Sequence, residues 1–150
     1  MRFPRESAVA LQEAAGWVTP RSRTDTNGSL TVPTPSLLAL VDPDSDLLAG
    51  MRDTGRAVVQ LLTWGDRQLA EAFAGTAPAP GGPFRQAEFV ATPHGPLLAS
   101  ATTHAFLSLA SERVVGWSVE VEAVLDAVTV DETEQSPLLH HRGRFQPLPE

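Results

Sequence analysis

The sequence has no cysteine and no tyrosine, and all eleven of its basic residues are arginine, so lysine is absent as well. Without cysteine the chain can form no disulfide, no thiolate nucleophile and no cysteine-ligated metal site. Without lysine it can form no Schiff base and no Walker-type phosphate contact. Isoleucine is also missing, and such chain-wide preferences indicate genome bias rather than selection at a site.

Long apolar runs are missing too. No stretch approaches the roughly 18 residues that a membrane-spanning helix needs. The first 17 residues carry Glu6 and Glu13 within their apolar pattern, which is not typical of a signal peptide. A cytoplasmic location is the simplest prediction.

The charge balance is acidic, with 18 acidic residues against 11 basic ones and a net charge of −7. This argues against nucleic-acid binding, which depends on basic side chains that neutralise phosphates. The 150 residues are 42% hydrophobic, which is typical of a folded chain of one domain rather than a disordered one. We therefore expect a single domain over residues 1–150.

The first third of the chain predicts short elements. Residues 5–15 suit an amphipathic helix, and a short strand is expected around Trp17. Asn27-Gly28 is a strong hairpin-turn signal. The apolar run 36–41 predicts a strand that is buried on both faces.

Two short helices are expected in the middle of the chain. Ser45 is a predicted N-cap and Gly55 a predicted C-terminal stop. Thr63 and Asp66 form a capping-box pattern before the second helix. The predicted elements are a helix at 46–54, a strand at 56–62 and a helix at 67–74.

The second half of the chain predicts mostly strands, at 87–91 and within 97–111, with a hairpin at Glu112-Arg113. Apolar and polar residues then alternate from Trp117 onward. The apolar phase slips by one residue afterwards, which predicts a β-bulge near Ala123–Val124. The class is therefore mainly β (α+β), most simply a closed barrel.

Three segments resemble the flavin reductase-like family, which has the FMN-binding split-barrel fold. They are LLAGMRDTGRAVVQLLTWGDRQLAEAFAG at 47–75, GPLLASATTHAFLSLA at 95–110 and PLLHHRGRF at 137–145. They occur in the family's order, and the resemblance extends over about residues 36–146. It implies a six-stranded Greek-key split β-barrel with short inserted helices.

The resemblance also implies a function. Family members are commonly homodimers with FMN at the subunit interface, and they reduce flavin with NAD(P)H. A homodimer agrees with Trp17, Trp64 and Trp117, since these aromatics exceed what a small barrel easily buries. The first hypothesis is therefore an NAD(P)H-dependent flavin (FMN) reductase, whose redox chemistry comes from the cofactor.

The candidate cofactor-binding residues are those that can hold a phosphate or a polar ring edge. Hydroxyl donors are expected from Thr31, Thr34 and Ser36, and arginine contacts to phosphate from Arg52 or Arg56. The resemblance also implies that a histidine of the tail, His140, faces the flavin or the partner chain. The alternative interpretation is ordinary turn residues, exposed helix arginines and a solvated strand.

The sequence assigns no catalytic residue and no metal site. His140 and His141 are adjacent on a predicted strand and point to opposite faces, so they do not readily share an ion. His104 is expected to be a hydrogen-bonded residue of the core or interface, and His94 to be exposed in its turn. A hydrolytic Ser-His-Asp triad is not supported, because the G-x-S-x-G elbow is absent.

A second hypothesis comes from a different class of protein. The family's Asp-Pro-Pro element is replaced here by residues 31–36, and its Gly-Asp-His element by residues 111–116. This favours, as the alternative, a degenerate split-barrel protein that acts as a dimeric ligand-binding or structural module.

Overall fold

The fold is described from a computed structural model. It describes residues 35–131 and 136–147 in full, and the backbone of three short strands before them. The predicted helix at 5–15 and the Asn27-Gly28 turn lie outside the described residues.

The described elements are mostly strands. The strands are β1 (Gly16–Val18), β2 (Arg23–Thr24), β3 (Leu30–Thr31), β4 (Ser36–Val41), β5 (Arg56–Gln60), β6 (Phe89–Thr92), β7 (Gly95–Leu98), β8 (His104–Val115), β9 (Ser118–Thr129), β10 (Leu138–His141) and β11 (Arg144–Pro147). The helices are α1 (Asp46–Thr54) and α2 (Arg67–Phe73), with 3₁₀ turns at Trp64–Asp66 and Pro83–Arg85. None of the described helices is long and apolar enough to span a bilayer.

Five strands form one antiparallel sheet in the order β1-β4-β9-β8-β5, and β2-β3, β6-β7 and β10-β11 are separate hairpins. Strands β2 and β3 are antiparallel, with Thr24 opposite Leu30, and the Asn27-Gly28 turn between them stays a prediction. The fold is thus mainly β with few helices, as the sequence predicts. Among the described strands the large sheet is open, and a closed six-stranded barrel stays a prediction.

Helix α1 packs on one face of the large sheet, which we call the inner face. Ser45 caps it, accepting a hydrogen bond from the Leu48 amide, and Gly55 ends it with a φ of 67°. Its inward residues Leu47, Leu48 and Met51 contact a layer of small and branched side chains from four strands. That layer comprises Leu37, Ala39, Val41, Ala57, Ala105, Leu107, Val119, Val121 and Ala123.

Strand β4 is buried on one face only, which corrects the expectation for 36–41. Leu37, Ala39 and Val41 are buried, whereas Leu40 is 42% exposed. The alternation arises because α1 covers the inner face and no described element covers Leu40 on the opposite, outer face. This exposed leucine on the outer face becomes relevant to assembly below.

Helix α2 contacts the 3₁₀ turn at Pro83–Arg85 and strand β6 through aromatic side chains. The 3₁₀ turn Trp64–Asp66 that precedes α2 confirms the capping-box prediction, since the Asp66 carboxylate accepts from the Thr63 amide at 2.9 Å. Phe73, Phe84 and Phe89 meet edge to face, with ring centroids 5.0–6.3 Å apart. These contacts hold strand β6 beside α2.

Strands β8 and β9 form a long hairpin whose register shifts twice. One shift leaves Ala110 of β8 between two pairs, and the other leaves Asp126 of β9 between two pairs. The predicted bulge near Ala123–Val124 is thus displaced to Asp126. The shift at Ala110 moves Glu112 to the inner face, beside Val121.

The predicted hairpin at Glu112-Arg113 is wrong. Strand β8 continues to Val115, and the turn is at Gly116 and Trp117. Gly116 supplies the positive φ, 59°, that the first position of a type II′ turn needs. Glu112 and Arg113 instead make ion pairs within the sheet.

The β10-β11 hairpin also closes with a two-residue turn, at Arg142-Gly143. Both residues have positive φ, 52° and 76°, which is the pattern of a type I′ turn. Arg142 is the only residue other than glycine with positive φ in the described part of the chain. The left-handed conformation costs a residue with a Cβ roughly 1–2 kcal/mol.

Candidate functional site

Two of the predicted cofactor-binding residues lie in one row across the large sheet. Ser36 of β4 is opposite Val124 of β9, which is opposite Ser108 of β8, which is opposite Arg56 of β5. Residues paired in this way point to the same face. The row spans three strand spacings, about 14 Å. Register therefore places a hydroxyl and a guanidinium on the outer face.

A polar cluster adjoins this row at the Asp126 bulge. Ser108 Oγ donates to Asp126 Oδ2 at 2.6 Å, and His94 Nε2 lies 3.1 Å from the same oxygen. The His94 ring stacks at 4.9 Å on Phe106, which also contacts His104. His94 comes from the β6-β7 turn, so the cluster connects that hairpin to the sheet.

The cluster keeps Asp126 ionised. Its pKa is lowered from the ordinary 3.8, chiefly by the hydrogen bond from Ser108. Burial is the next largest effect and opposes it, and His94 and the positive charge of Arg56 lower the pKa further. The carboxylate is thus the acceptor at the centre of the cluster.

This arrangement is not a hydrolytic triad. Ser108 and His94 both bind the same carboxylate oxygen, so His94 is not positioned to take a proton from the serine hydroxyl. The cluster instead positions the β6-β7 turn. The expectation that His94 is exposed is wrong, since its side chain is only 19% exposed and partnered by Asp126.

His104 also differs from the prediction, in this case in its hydrogen bonding. Its Nδ1 is buried and has no hydrogen-bond partner in the described part of the chain. The ring is held by its edge contact with Phe106 at 5.4 Å. The expected hydrogen-bonded histidine is therefore a packed aromatic ring instead.

We expect Asp126→Asn to destabilise the protein at neutral pH, with a difference from wild type that disappears in acid. Because folding lowers the pKa of Asp126, its contribution is present above pH 3.8 and is lost as pH falls through the lowered value. Urea midpoints of both proteins from neutral pH to about pH 3 would measure this. Asp53→Asn, at an exposed carboxylate of α1, is the matched control. A gap independent of pH would contradict the role of the ionised carboxylate.

Arg52 is engaged on the opposite side of the sheet. Its guanidinium binds the Glu112 carboxylate through both Nε and Nη2, at 2.8–3.2 Å. The hydrogen bond raises the pKa of Arg52 and lowers that of Glu112. Helix α1 is thereby tied to the β8-β9 hairpin, and this arginine is separated from the row that contains Arg56.

The other predicted residues are placed less completely. Thr31 ends β3 in the described backbone, whereas Thr34 and the side chain of Thr31 lie outside the description. His140 is exposed on β10, with its ring 5.2 Å from Phe145. In the described residues, no group of three or more His, Asp or Glu could hold a metal ion.

The family model of the flavin reductase like domain matches residues 26–149 of this chain. The chain therefore belongs to the flavin reductase-like domain family, as the sequence resemblance predicts. This membership supports a flavin reductase function. No curated protein sequence gives a significant match.

Solved structures share the fold at low sequence identity. The Streptomyces globisporus C-1027 NADH:FAD oxidoreductase SgcE6 is 20% identical, with a TM-score of 0.68 over 81% of this chain and 74% of that one. The styrene monooxygenase flavin reductase of Pseudomonas putida S12 is 18% identical, with a TM-score of 0.66 over 86% and 88%. The FMN-binding protein of Thermus thermophilus is 17% identical, with a TM-score of 0.64 over 79% and 71%.

Proposed function

We propose that the protein is an FMN-binding oxidoreductase that uses NAD(P)H to reduce flavin. The match of the flavin reductase like domain to residues 26–149 carries this proposal. Similar structures bear the names of an NADH:FAD oxidoreductase and an FMN-binding protein, which supports flavin and a nicotinamide nucleotide as the ligands. We further propose that residues 1–150 form one split-barrel domain. The cytoplasmic location stays a prediction from the sequence.

The flavin site that we propose is the outer-face row from Ser36 to Arg56. The Ser36 hydroxyl is half-buried and Arg56 is exposed at the start of β5, so both can donate to a phosphate. Leu38 and Val124, half-buried on the same face, offer apolar contact to a ring. Thr31 and Thr34 precede this row in sequence and remain predicted hydroxyl donors.

These residues fit the demands of a flavin nucleotide. An anion needs hydroxyl or guanidinium donors that are not already engaged. Arg56 makes no direct ion pair among the described residues and acts on Asp126 only through its charge, whereas Arg52 is held by Glu112. We therefore assign the phosphate contact to Arg56 and not to Arg52. When bound, the flavin supplies the hydride-accepting chemistry, and the protein supplies placement and charge.

We expect Arg56→Gln to weaken FMN binding about tenfold, because one charge-assisted hydrogen bond to phosphate is lost. Riboflavin has no phosphate, so its affinity should not change. Fluorescence titration of both flavins measures the two constants, and a parallel titration with FAD compares the dinucleotide. Arg85→Gln, which removes another exposed arginine, is the control. Equal FMN affinities for Arg56→Gln and wild type would place the phosphate elsewhere.

We propose a homodimer formed around the β8-β9 turn. Four apolar side chains are exposed there and at the end of β4, and Trp117 is 97% exposed. The set comprises Leu40, Val114, Val115 and Trp117. Leu40 and Val115 lie on the outer face and Val114 on the inner face, so the exposed groups surround the turn. Exposed aromatic and aliphatic groups gathered around one turn are typical of an interface rather than of a monomer surface. A second copy of the chain is the partner that the family resemblance implies.

A further inference from the structure

The β10-β11 hairpin is basic on an otherwise acidic protein. His140, His141, Arg142 and Arg144 are all exposed, and residues 136–147 contain no carboxylate. The whole chain has a net charge of −7, so its average field repels anions. A local basic surface is therefore needed wherever an anionic ligand is to be held.

Among residues 35–131 and 136–147, the arginines of this hairpin have no partner. Elsewhere Arg52 pairs with Glu112, Arg67 with Glu71 and Arg113 with Glu120. By contrast, Arg142 and Arg144 make no ion pair or hydrogen bond in the described part of the chain. As far as the described residues go, the two guanidinium groups of this hairpin thus remain available to a ligand.

The conformation of Arg142 is a second, independent observation. The first position of a type I′ turn favours asparagine or glycine, yet Arg142 occupies it with a φ of 52°. Strained residues of this kind concentrate at ligand-binding positions. A functional use of the guanidinium explains why the chain has an arginine where an asparagine would be less strained.

The register of the hairpin brings further donors beside the turn. His141 lies directly opposite Arg144, and residues paired in this way share one face of the ribbon. Arg142 follows His141 in the turn itself. Three nitrogen-bearing side chains are therefore grouped within one turn of the chain.

We propose that the β10-β11 turn binds a phosphate group of a nucleotide, with Arg142 and Arg144 as the main donors and His141 beside them. A phosphate presents several anionic oxygens, which two guanidinium forks and a ring N–H suit better than a single carboxylate does. The choice of a nucleotide rests on the proposed function. The source is the nicotinamide donor if Arg56 holds the flavin phosphate as proposed above. The flavin is the other source, which would replace the contact assigned to Arg56, and the shared chemistry is the phosphate ester.

The test uses Arg142→Asn, because asparagine tolerates the positive φ of this turn position. We expect the unfolding midpoint to stay the same or to rise by roughly 2–4 °C, because the strain is relieved. For this variant we expect the dissociation constant for 2′,5′-ADP to increase about five- to tenfold. For the double variant, Arg142→Asn with Arg144→Gln, we expect it to increase by at least about thirtyfold. If Arg142 had only a structural role, its replacement would not weaken ligand binding while the unfolding midpoint stayed the same or rose.

Three further probes distinguish the source of the phosphate. Adenosine measures binding without phosphate, and FMN compared with riboflavin measures the flavin phosphate. A selective loss of 2′,5′-ADP binding assigns the turn to the nicotinamide donor, and a selective loss of FMN binding assigns it to the flavin. Arg85→Gln is the control for removal of one exposed positive charge. The proposal is overturned if the double variant binds every phosphate probe as wild type does, or if Arg85→Gln weakens binding equally.

These binding measurements are independent of turnover. A protein that reduces flavin but is unaffected by the double variant would retain the proposed function and lose this site. A protein that reduces no flavin but loses 2′,5′-ADP binding in the double variant would keep the site and lose the function.

Discussion

Replacing Leu48 by alanine is expected to lower the free energy of unfolding by about 2–5 kcal/mol. Leu48 has no exposed surface and lies in the layer between α1 and the sheet. The removed atoms leave a cavity that the surrounding residues fill only partly, since several of them are alanines. For a domain of this size the melting temperature should fall by roughly 2–4 °C per kcal/mol.

The same substitution at Leu61 is the matched control. Leu61 is 55% exposed, so its loss should change stability by no more than about 0.5 kcal/mol. Urea denaturation of both variants and the wild type measures the two free energies. Equal losses at Leu48 and Leu61 would contradict the placement of α1 on the inner face.

Replacing Trp117 by serine is expected to dissociate the proposed homodimer. An aromatic anchor at the centre of an interface commonly contributes 2 kcal/mol or more, which weakens dimerisation by about thirtyfold or more. At micromolar protein the light-scattering mass should therefore fall from that of a dimer toward one chain of 16.0 kDa. The Trp117 side chain makes little contact with its own chain, so the unfolding midpoint of the monomer should not decrease.

Val90→Ser is the control for the loss of an exposed apolar group. Val90 is 51% exposed on β6, outside the β8-β9 turn. This variant should remain a dimer. A wild-type protein that is monomeric at micromolar concentration, or a Trp117→Ser protein that stays dimeric, would contradict the proposed interface.

The local elements were the most predictable part of the fold. Ser45 and Gly55 delimit α1 as expected, because a cap and a left-handed glycine act within a single turn of chain. The Thr63 and Asp66 capping box is local in the same way. Features fixed by neighbours in sequence can be identified from sequence.

The errors concern features that depend on partners distant in the chain. Glu112 looks like a turn residue, yet pairing with Val121 places it in strand β8, where its carboxylate binds Arg52, 60 positions away. The phase slip after Ala123 signals a real bulge, but its position at Asp126 depends on pairing with β8. The exposure of Leu40 depends on which face α1 covers. None of these partners can be identified from local pattern alone.

The candidate site was predictable only in part. Ser36 and Arg56 were chosen for their chemistry, but only the register of four strands puts them in one row. The Asp126 cluster was missed, because His94 in a Pro-His-Gly turn carries no signal of its partner 32 residues later. Arg142 was recognised only as part of a polar run, since its backbone strain is visible only in the structure.

Anaerobic mixing of the purified protein and FMN with NADH or NADPH tests the central claim most directly. The proposed function predicts that FMN binds at micromolar concentration, and that its visible absorbance is lost on addition of at least one nicotinamide nucleotide, much faster than without protein. Absence of FMN binding, or a reduction rate equal to that without protein with both nucleotides, would contradict the proposed flavin reductase activity. A ligand-binding or structural role would then be the better interpretation of the fold.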